Sequence, residues 1–313
     1  MDEKLRVVVV GAGAVGAYFG GRLAQSGKFD VAVICRNNLD LIKRNAYSVR
    51  SIAGDFKFVP AACYQNPGDC EWAADIVLIA SKVLPEINTC EIIRPLIKSN
   101  TAIMLIQNGI DIEGKIHRAY PDNELISAIA YIGVTRGAGA NLINHTGGGT
   151  LKFGHYESEK FSSRKIELLQ EAFNATGVKS EIVEDIIQYR YIKEIWNVPY
   201  NSISVLAGGV DTYFMSHDQR ICCLAYDIMK EIQSIAKADG RIIGDDVIES
   251  TVDYTRNFPP YKTSMLIDYE NHRPLESEAI VGNLLRIGEK YNVSTPNIRC
   301  IYALLRSVNI HIK

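Results

Sequence analysis

Three glycines near the start of the chain are spaced for phosphate chemistry. Gly11-Ala12-Gly13-Ala14-Val15-Gly16 directly follows an apolar run at residues 6–10 and opens a helical pattern over 15–25 that Gly27 closes. In that context G-x-G-x-x-G has a physical reading. The first glycine makes a tight turn, the second lets backbone approach a pyrophosphate, the third lets helix and strand pack closely, and the N–H groups at the helix start face the phosphates. A dinucleotide is implied, with a flexible glycine loop as the alternative. About 20 residues on, an NAD-binding chain places Asp or Glu on the ribose hydroxyls. Here the sequence reads Ile34-Cys35-Arg36-Asn37. A carboxylate would repel a 2′-phosphate, whereas a guanidinium pairs with it, so NADPH is the expected cofactor. A solvated arginine at a strand end is the alternative reading of Arg36, and Lys82, just after the run 76–80, is a second basic candidate at the same crevice.

Two further groups carry polar chemistry. Asn108, in Gln107-Asn108-Gly109, ends the run 102–106 at the rim where open α/β sheets bind ligands. Its amide donates and accepts at once, so it could meet a ribose hydroxyl and a substrate oxygen; a plain Asn-Gly turn is the alternative. Lys193, Asn197 and Asn201 stand at i, i+4 and i+8, a single stripe on a helix, beside the apolar Ile192, Ile195, Trp196 and Val198. Pro199 sits within the stripe and should free the Ile195 carbonyl and bend the helix. A surface lysine with two solvated asparagines is the competing reading.

The elements that must position these groups follow from periodicity. Short β-branched runs at 6–10, 31–35, 76–80, 102–106 and 125–130 alternate with helical patterns at 15–25, 39–45 and 85–97, which predicts βαβ units and a parallel sheet covered on both faces. Residues 133–156 form a glycine-rich meander that could extend the sheet antiparallel, followed by a helix near 163–176 and a last strand near 178–183. Beyond Ile186 the period is helical: Ile221, Leu224, Ala225, Ile228, Met229, Ile232 and Ile235 recur on one face and stop at Gly240. The expected fold is α/β, with an N-terminal doubly wound Rossmann-type domain over residues 1–184 and a C-terminal all-helical domain over 185–313. A chain of 313 residues has ample length for two cores.

The lysine–asparagine stripe downstream of GAGAVG resembles the ketopantoate reductase family. Lys262-Thr-Ser264-Met-Leu and Arg273-Pro-Leu-Glu276, with Glu276 twelve residues beyond Ser264, resemble that family's serine segment and acidic motif. Gln107-Asn108-Gly109 and Thr295-Pro296-Asn297 extend the resemblance over essentially the whole chain. It implies NADPH-dependent reduction of 2-dehydropantoate to pantoate for pantothenate synthesis. Lys193 would be the general acid at the C2 carbonyl and Glu276 would orient it or the substrate. Asn197, Asn201 and Ser264 would hold the substrate carboxylate and hydroxyls, with Asn108 bridging substrate and cofactor. The chemistry agrees: hydride arrival builds charge on a ketone oxygen, and a protonated amine both stabilises that charge and delivers the proton. Leu275, Ser277 and Glu278 depart from the family pattern, and Asp211 lies where some members place a substrate-contacting asparagine. Those departures keep open a paralogous reductase of another 2-oxo acid. A non-catalytic NADP-binding protein would be expected to lack the lysine or the glutamate, and both are present.

With 34 basic against 36 acidic side chains the net charge is −2, so neither nucleic acid nor an anionic membrane is an expected partner. Residues 5–21 imitate a signal-peptide core, yet the mixed charges before them and the glycine spacing inside them argue otherwise. Seven cysteines, with no C-x-x-C pair and no metal-ligand spacing, fit a reducing cytoplasm and no metal; each thiol is expected to be a small buried apolar group. The partner implied is a small 2-oxo acid. A homodimer is compatible with the sequence, which leaves the oligomeric state open.

Overall fold

The computed structural model describes residues 4–35, 38–156 and 163–312. The first half orders β1 (Leu5–Val10), α1 (Ala14–Gln25), β2 (Phe29–Ile34), α2 (Leu39–Asn45), β3 (Tyr47–Ser51), β4 (Phe56–Phe58), β5 (Ala62–Tyr64), β6 (Ile76–Ile79), α3 (Thr89–Ile93), β7 (Ala102–Leu105), α4 (Glu113–Ala119), β8 (Leu125–Arg136), β9 (Leu142–His155), α5 (Arg164–Ala175) and β10 (Lys179–Ile182). Helices follow: α6 (Ile186–Leu206), α7 (Thr212–His217), α8 (Gln219–Ala238), α9 (Asp245–Asn257), α10 (Ser264–Glu270), α11 (Asn283–Lys290) and α12 (Pro296–His311).

All ten strands join one sheet in the order β4-β3-β9-β8-β7-β6-β1-β2-β5, with β10 on β9. From β8 to β5 the pairs are parallel; Val8, for example, lies between Ala32 and Val77. Parallel strands need covering on both faces, which is why β6 and β7 are buried at every residue and read as continuous apolar runs. The core on one face includes Val7, Val9, Phe19, Leu23, Leu78, Met104 and Phe173. The glycine-rich stretch forms the long antiparallel pair β8–β9, with register shifts beside Ile132 and Val134.

Chain contacts separate two compact units. The first runs to Lys82 and takes Asn88–Gln107 and Glu113–Ile186; the second takes Val83–Ile87, Asn108–Ile112 and the chain from Ile187 on. The helical unit has its own core, in which Tyr191, Ile195 and Val198 of α6 meet Ile228, Met229 and Ile232 of α8 and Ile298 and Leu305 of α12. A division into residues 1–184 and 185–313 therefore misplaces two short segments. Ile110 is buried in the helical core and its N–H donates to the Ala279 carbonyl (3.0 Å), a tie that local periodicity does not reveal.

Other expectations need correction. A helix over 85–97 is reduced to Thr89–Ile93 and a 3-10 turn at Arg94–Leu96, because Pro95 lacks a donor and residues 83–87 join the helical unit. Strands β3, β4 and β5 were not anticipated; at three to five residues they are too short for alternation to register. The last strand, β10, pairs parallel with β9. Cys223 and Cys300 are exposed, not buried, since both fall off the inward stripes of α8 and α12; Cys35 is buried and the other four thiols are intermediate. Among the described residues no group of three or more His, Cys, Asp or Glu is arranged to hold a metal, and no helix is long and apolar enough to cross a membrane.

Candidate active site

In the first unit, the glycine loop between β1 and α1 is held by close backbone approach. Gly11 has φ +90°, and a Cβ there would lie 2.4 Å from the Ser81 nitrogen. A Cβ on Gly16 would lie 2.4 Å from the Gly11 carbonyl oxygen, so helix and loop pack without room for a side chain. Gly13 differs: a Cβ there would meet only the Gly11 oxygen, at 3.9 Å, which leaves open space beside the loop. Gly13 is also the N-cap of α1 and makes no side-chain cap, so the first-turn N–H groups around Ala14 and Val15 offer themselves to a phosphate. The residues present fit a dinucleotide.

Tyr47 Oη and Arg136 Nη2 both donate to the Ala12 carbonyl, at 3.2 and 3.1 Å, and pin the loop from β3 and β8. Neither was visible in the sequence, because their positions depend on sheet order. Gln107 Nε2 donates to the Ser81 carbonyl (2.6 Å), and Lys82 follows Ser81 in a part-buried position. Arg36 lies outside the described residues. At the end of β2, burial pushes the Cys35 thiol up while the positive charges of Lys43 and Arg136 act the other way, so this end of the strand is a cationic neighbourhood.

In the second unit, α6 gathers the remaining candidates. Lys193 Nζ donates to Asn108 Oδ1 (2.7 Å), so Asn108 is more than a turn residue. Gly109 is required beside it, since a Cβ there would lie 2.6 Å from the Ala279 oxygen, and its carbonyl accepts from Arg190 Nη1 (2.9 Å). Glu276 Oε1 accepts from the Val83 N–H (2.8 Å). Asn201 Nδ2 donates to Asn197 Oδ1 (3.4 Å), and Asn201 Oδ1 accepts from Ser264 Oγ (3.3 Å) and the Met265 N–H (3.1 Å). The structure thus brings Lys193, Asn108, Glu276, Asn197, Asn201 and Ser264 into one unit. With Asn197 at 7% and Asn201 at 1% exposure, the reading of solvated asparagines fails.

Sequence reading missed two members of this cluster, Arg190 (2% exposed) and Glu194 (1%). Arg190, Glu194, Asn197 and Asn201 recur at helical spacing, a polar period beside an apolar face that could have shown them. Burial pushes the Lys193 amine down, Arg190 adds to that, and the carboxylates of Glu194 and Glu276 oppose it; burial pushes Glu194 up. An amine of lowered pKa, flanked by acids and held by an amide oxygen, can polarise a carbonyl and give it a proton.

Three of the four positions that depart from the family pattern are engaged elsewhere, whereas Ser277 is fully buried and its Oγ has no hydrogen-bond partner among the described residues. Asp211 caps α7, its Oδ1 accepting from the Phe214 N–H (2.9 Å). Glu278 accepts from Tyr302 (2.6 Å), Arg286 (3.2 Å) and Arg306 (3.0 Å), and Leu275 is buried in the helical core. Thr295-Pro296-Asn297 starts α12, where buried Glu231 accepts from Asn297 N, Asn297 Nδ2 and Ile298 N, each at 2.9 Å.

Comparison with known proteins covers both units. Residues 7–158 match the family model described as Ketopantoate reductase PanE/ApbA, and residues 185–309 match its C-terminal counterpart. A 2-dehydropantoate 2-reductase of Nostoc is 30% identical, covering 98% of this chain and 95% of that one. Among solved structures, the 2-dehydropantoate 2-reductase of Methylococcus capsulatus is similar at TM-score 0.91 and 36% identity, covering 99% of this chain and 98% of that one. The 2-dehydropantoate 2-reductase of Geobacter metallireducens follows at TM-score 0.90 and 30% identity, covering 97% and 99%.

Proposed function

The chain belongs to the ketopantoate reductase family, oxidoreductases acting on a CH–OH/C=O pair, and from that premise we propose that it reduces 2-dehydropantoate with NADPH, using Lys193 as the general acid. The observation that carries this reading is the bond between Lys193 Nζ and Asn108 Oδ1 inside a part-buried cluster that also contains two acids. When bound, the nicotinamide supplies a hydride to C2 of the 2-oxo acid. Lys193 stabilises the charge that builds on the carbonyl oxygen and then gives that oxygen a proton, which yields the 2-hydroxy acid. Asn108 holds the amine in place, and Glu276, fixed by the Val83 N–H, favours its charged form. Asn197, Asn201 and Ser264 supply donors and acceptors for the substrate carboxylate and hydroxyls. Gly11, Ala12, Gly13, Ala14, Val15 and Gly16 would hold the pyrophosphate, with Lys82 as a further cofactor contact in the same unit.

The cationic end of β2, with Lys43 and Arg136 near Cys35 and Arg36 next in sequence, supports a 2′-phosphate over a bare ribose. Since Asp211 serves as a helix cap and Glu278 is held by Tyr302 and two arginines, these two of the four departures do not argue for a different 2-oxo acid. Pantoate formation for pantothenate synthesis in the cytoplasm is the role that follows from this reading. The test is steady-state oxidation of NADPH against a panel of 2-oxo acids that includes 2-dehydropantoate, with NADH in parallel. Preference for 2-dehydropantoate with NADPH is expected, and Arg36→Asp should weaken NADPH much more than NADH. Preference for another 2-oxo acid would replace the substrate; equal weakening of both nucleotides would remove Arg36 from the 2′-phosphate.

A further inference from the structure

The reaction above leaves Glu194 without a task. Its side chain is 1% exposed, it hydrogen-bonds the Asn197 side chain, and its Oε2 is buried with no hydrogen-bond partner among the described residues. A half-satisfied buried carboxyl is a stability cost, and a leucine of similar volume in its place would be neutral or better. Packing alone therefore does not account for an acid here.

The bonds around it run in one direction along α6. Asn197 Nδ2 donates to Glu194, which leaves Asn197 Oδ1 to accept from Asn201 Nδ2 (3.4 Å). Asn201 Oδ1 in turn accepts from Ser264 Oγ (3.3 Å) and the Met265 N–H (3.1 Å). An asparagine amide can turn over and exchange its donor and acceptor with little change in shape, so its partners alone decide which way it faces. The Met265 N–H can only donate, and fixes Asn201 at one end. Burial favours the protonated form of Glu194, but its ionised form, favoured in turn by Lys193, Asn197 and Arg190, can only accept, and in that form it fixes Asn197 at the other end.

We propose that Glu194 is a positioning residue that locks the amide orientation of Asn197, and through it the donor and acceptor pattern that Asn197 and Asn201 offer to a 2-oxo acid. The proposal rests on this cluster being the substrate site. Four ionisable groups face one another here: Arg190, Lys193 and Glu194 from α6, and Glu276 from the segment after α10. Where Glu194 is ionised, removing its charge leaves burial and Arg190 less opposed at Lys193, so the amine loses its proton at lower pH.

The test compares Glu194→Leu with the isosteric Glu194→Gln. In the leucine variant KM for the 2-oxo acid should rise about tenfold or more, the equivalent of one hydrogen bond to a charged group, with a smaller fall in kcat. NADPH affinity and the melting temperature should hold. Glutamine keeps an acceptor for Asn197 but can also turn its donor toward it, so it should recover only part of the KM, while the basic limb of kcat/KM moves to lower pH in both variants. Unchanged KM and unchanged pH profile in a folded leucine variant would overturn the proposal, as would equal losses of substrate and NADPH affinity. The side-chain amide resonance of Asn197, assigned by its disappearance in Asn197→Asp, reads the lock without turnover. It should shift in the leucine variant, and a resonance that stays put refutes the lock. If it shifts but the wild-type protein turns over no 2-oxo acid, the lock stands and the substrate reading falls.

Discussion

On the proposed mechanism, truncating Lys193 to alanine removes both the proton donor and the cation beside the carbonyl oxygen. General acid catalysis is worth about 10²–10⁴ in rate, and one donor at a developing oxyanion about 10²–10³. Because a single side chain does both here, the two factors do not multiply. We expect kcat/KM to fall by about 10³ or more, roughly 4 kcal/mol of transition-state stabilisation. NADPH affinity, read by nucleotide fluorescence, should be retained, since the glycine loop and its supports at Tyr47 and Arg136 belong to the other unit. The pH profile carries a sign. With Lys193 as the proposed acid, activity should be present below its pKa and lost as pH rises through it. Burial lowers that pKa from lysine's ordinary 10.5, so the basic limb of kcat/KM should lie below the ordinary lysine range. A loss smaller than tenfold, or a basic limb that survives unaltered in the alanine variant, would refute the assignment.

Gly16→Ala places a Cβ 2.4 Å from the Gly11 oxygen and 3.1 Å from Val9 Cγ1, so the loop must shift. About 1–3 kcal/mol of stability should be lost in denaturant melts, with a fall in NADPH affinity, and intact nucleotide binding would contradict the cradle. Glu231→Ala strips three 2.9 Å bonds from the start of α12 and should destabilise by about 1–3 kcal/mol with KM unchanged. Asp211→Asn keeps an acceptor for the Phe214 N–H and should leave KM for the 2-oxo acid unaltered; a large change would place that carboxylate at the substrate.

What the sequence determined by itself was whatever repeats over one or two turns of chain. Gly11, Gly13 and Gly16 could be read because a turn, a backbone approach and a helix start are all encoded within six residues. Lys193, Asn197 and Asn201 could be read because helical geometry alone puts them on one stripe. The parallel core strands announced themselves as continuous apolar runs, which short edge strands such as β4 cannot do. Tertiary structure decided everything that rests on partners distant in sequence. Glu276 meets the Val83 N–H across 193 positions, and Lys193 meets Asn108 across 85. The burial of Glu194, the transfer of residues 83–87 and 108–112 to the helical unit, and the support of the Ala12 carbonyl by Tyr47 and Arg136 are of the same kind. Periodicity states which face of an element is apolar; what that face meets is settled only when the whole chain has packed.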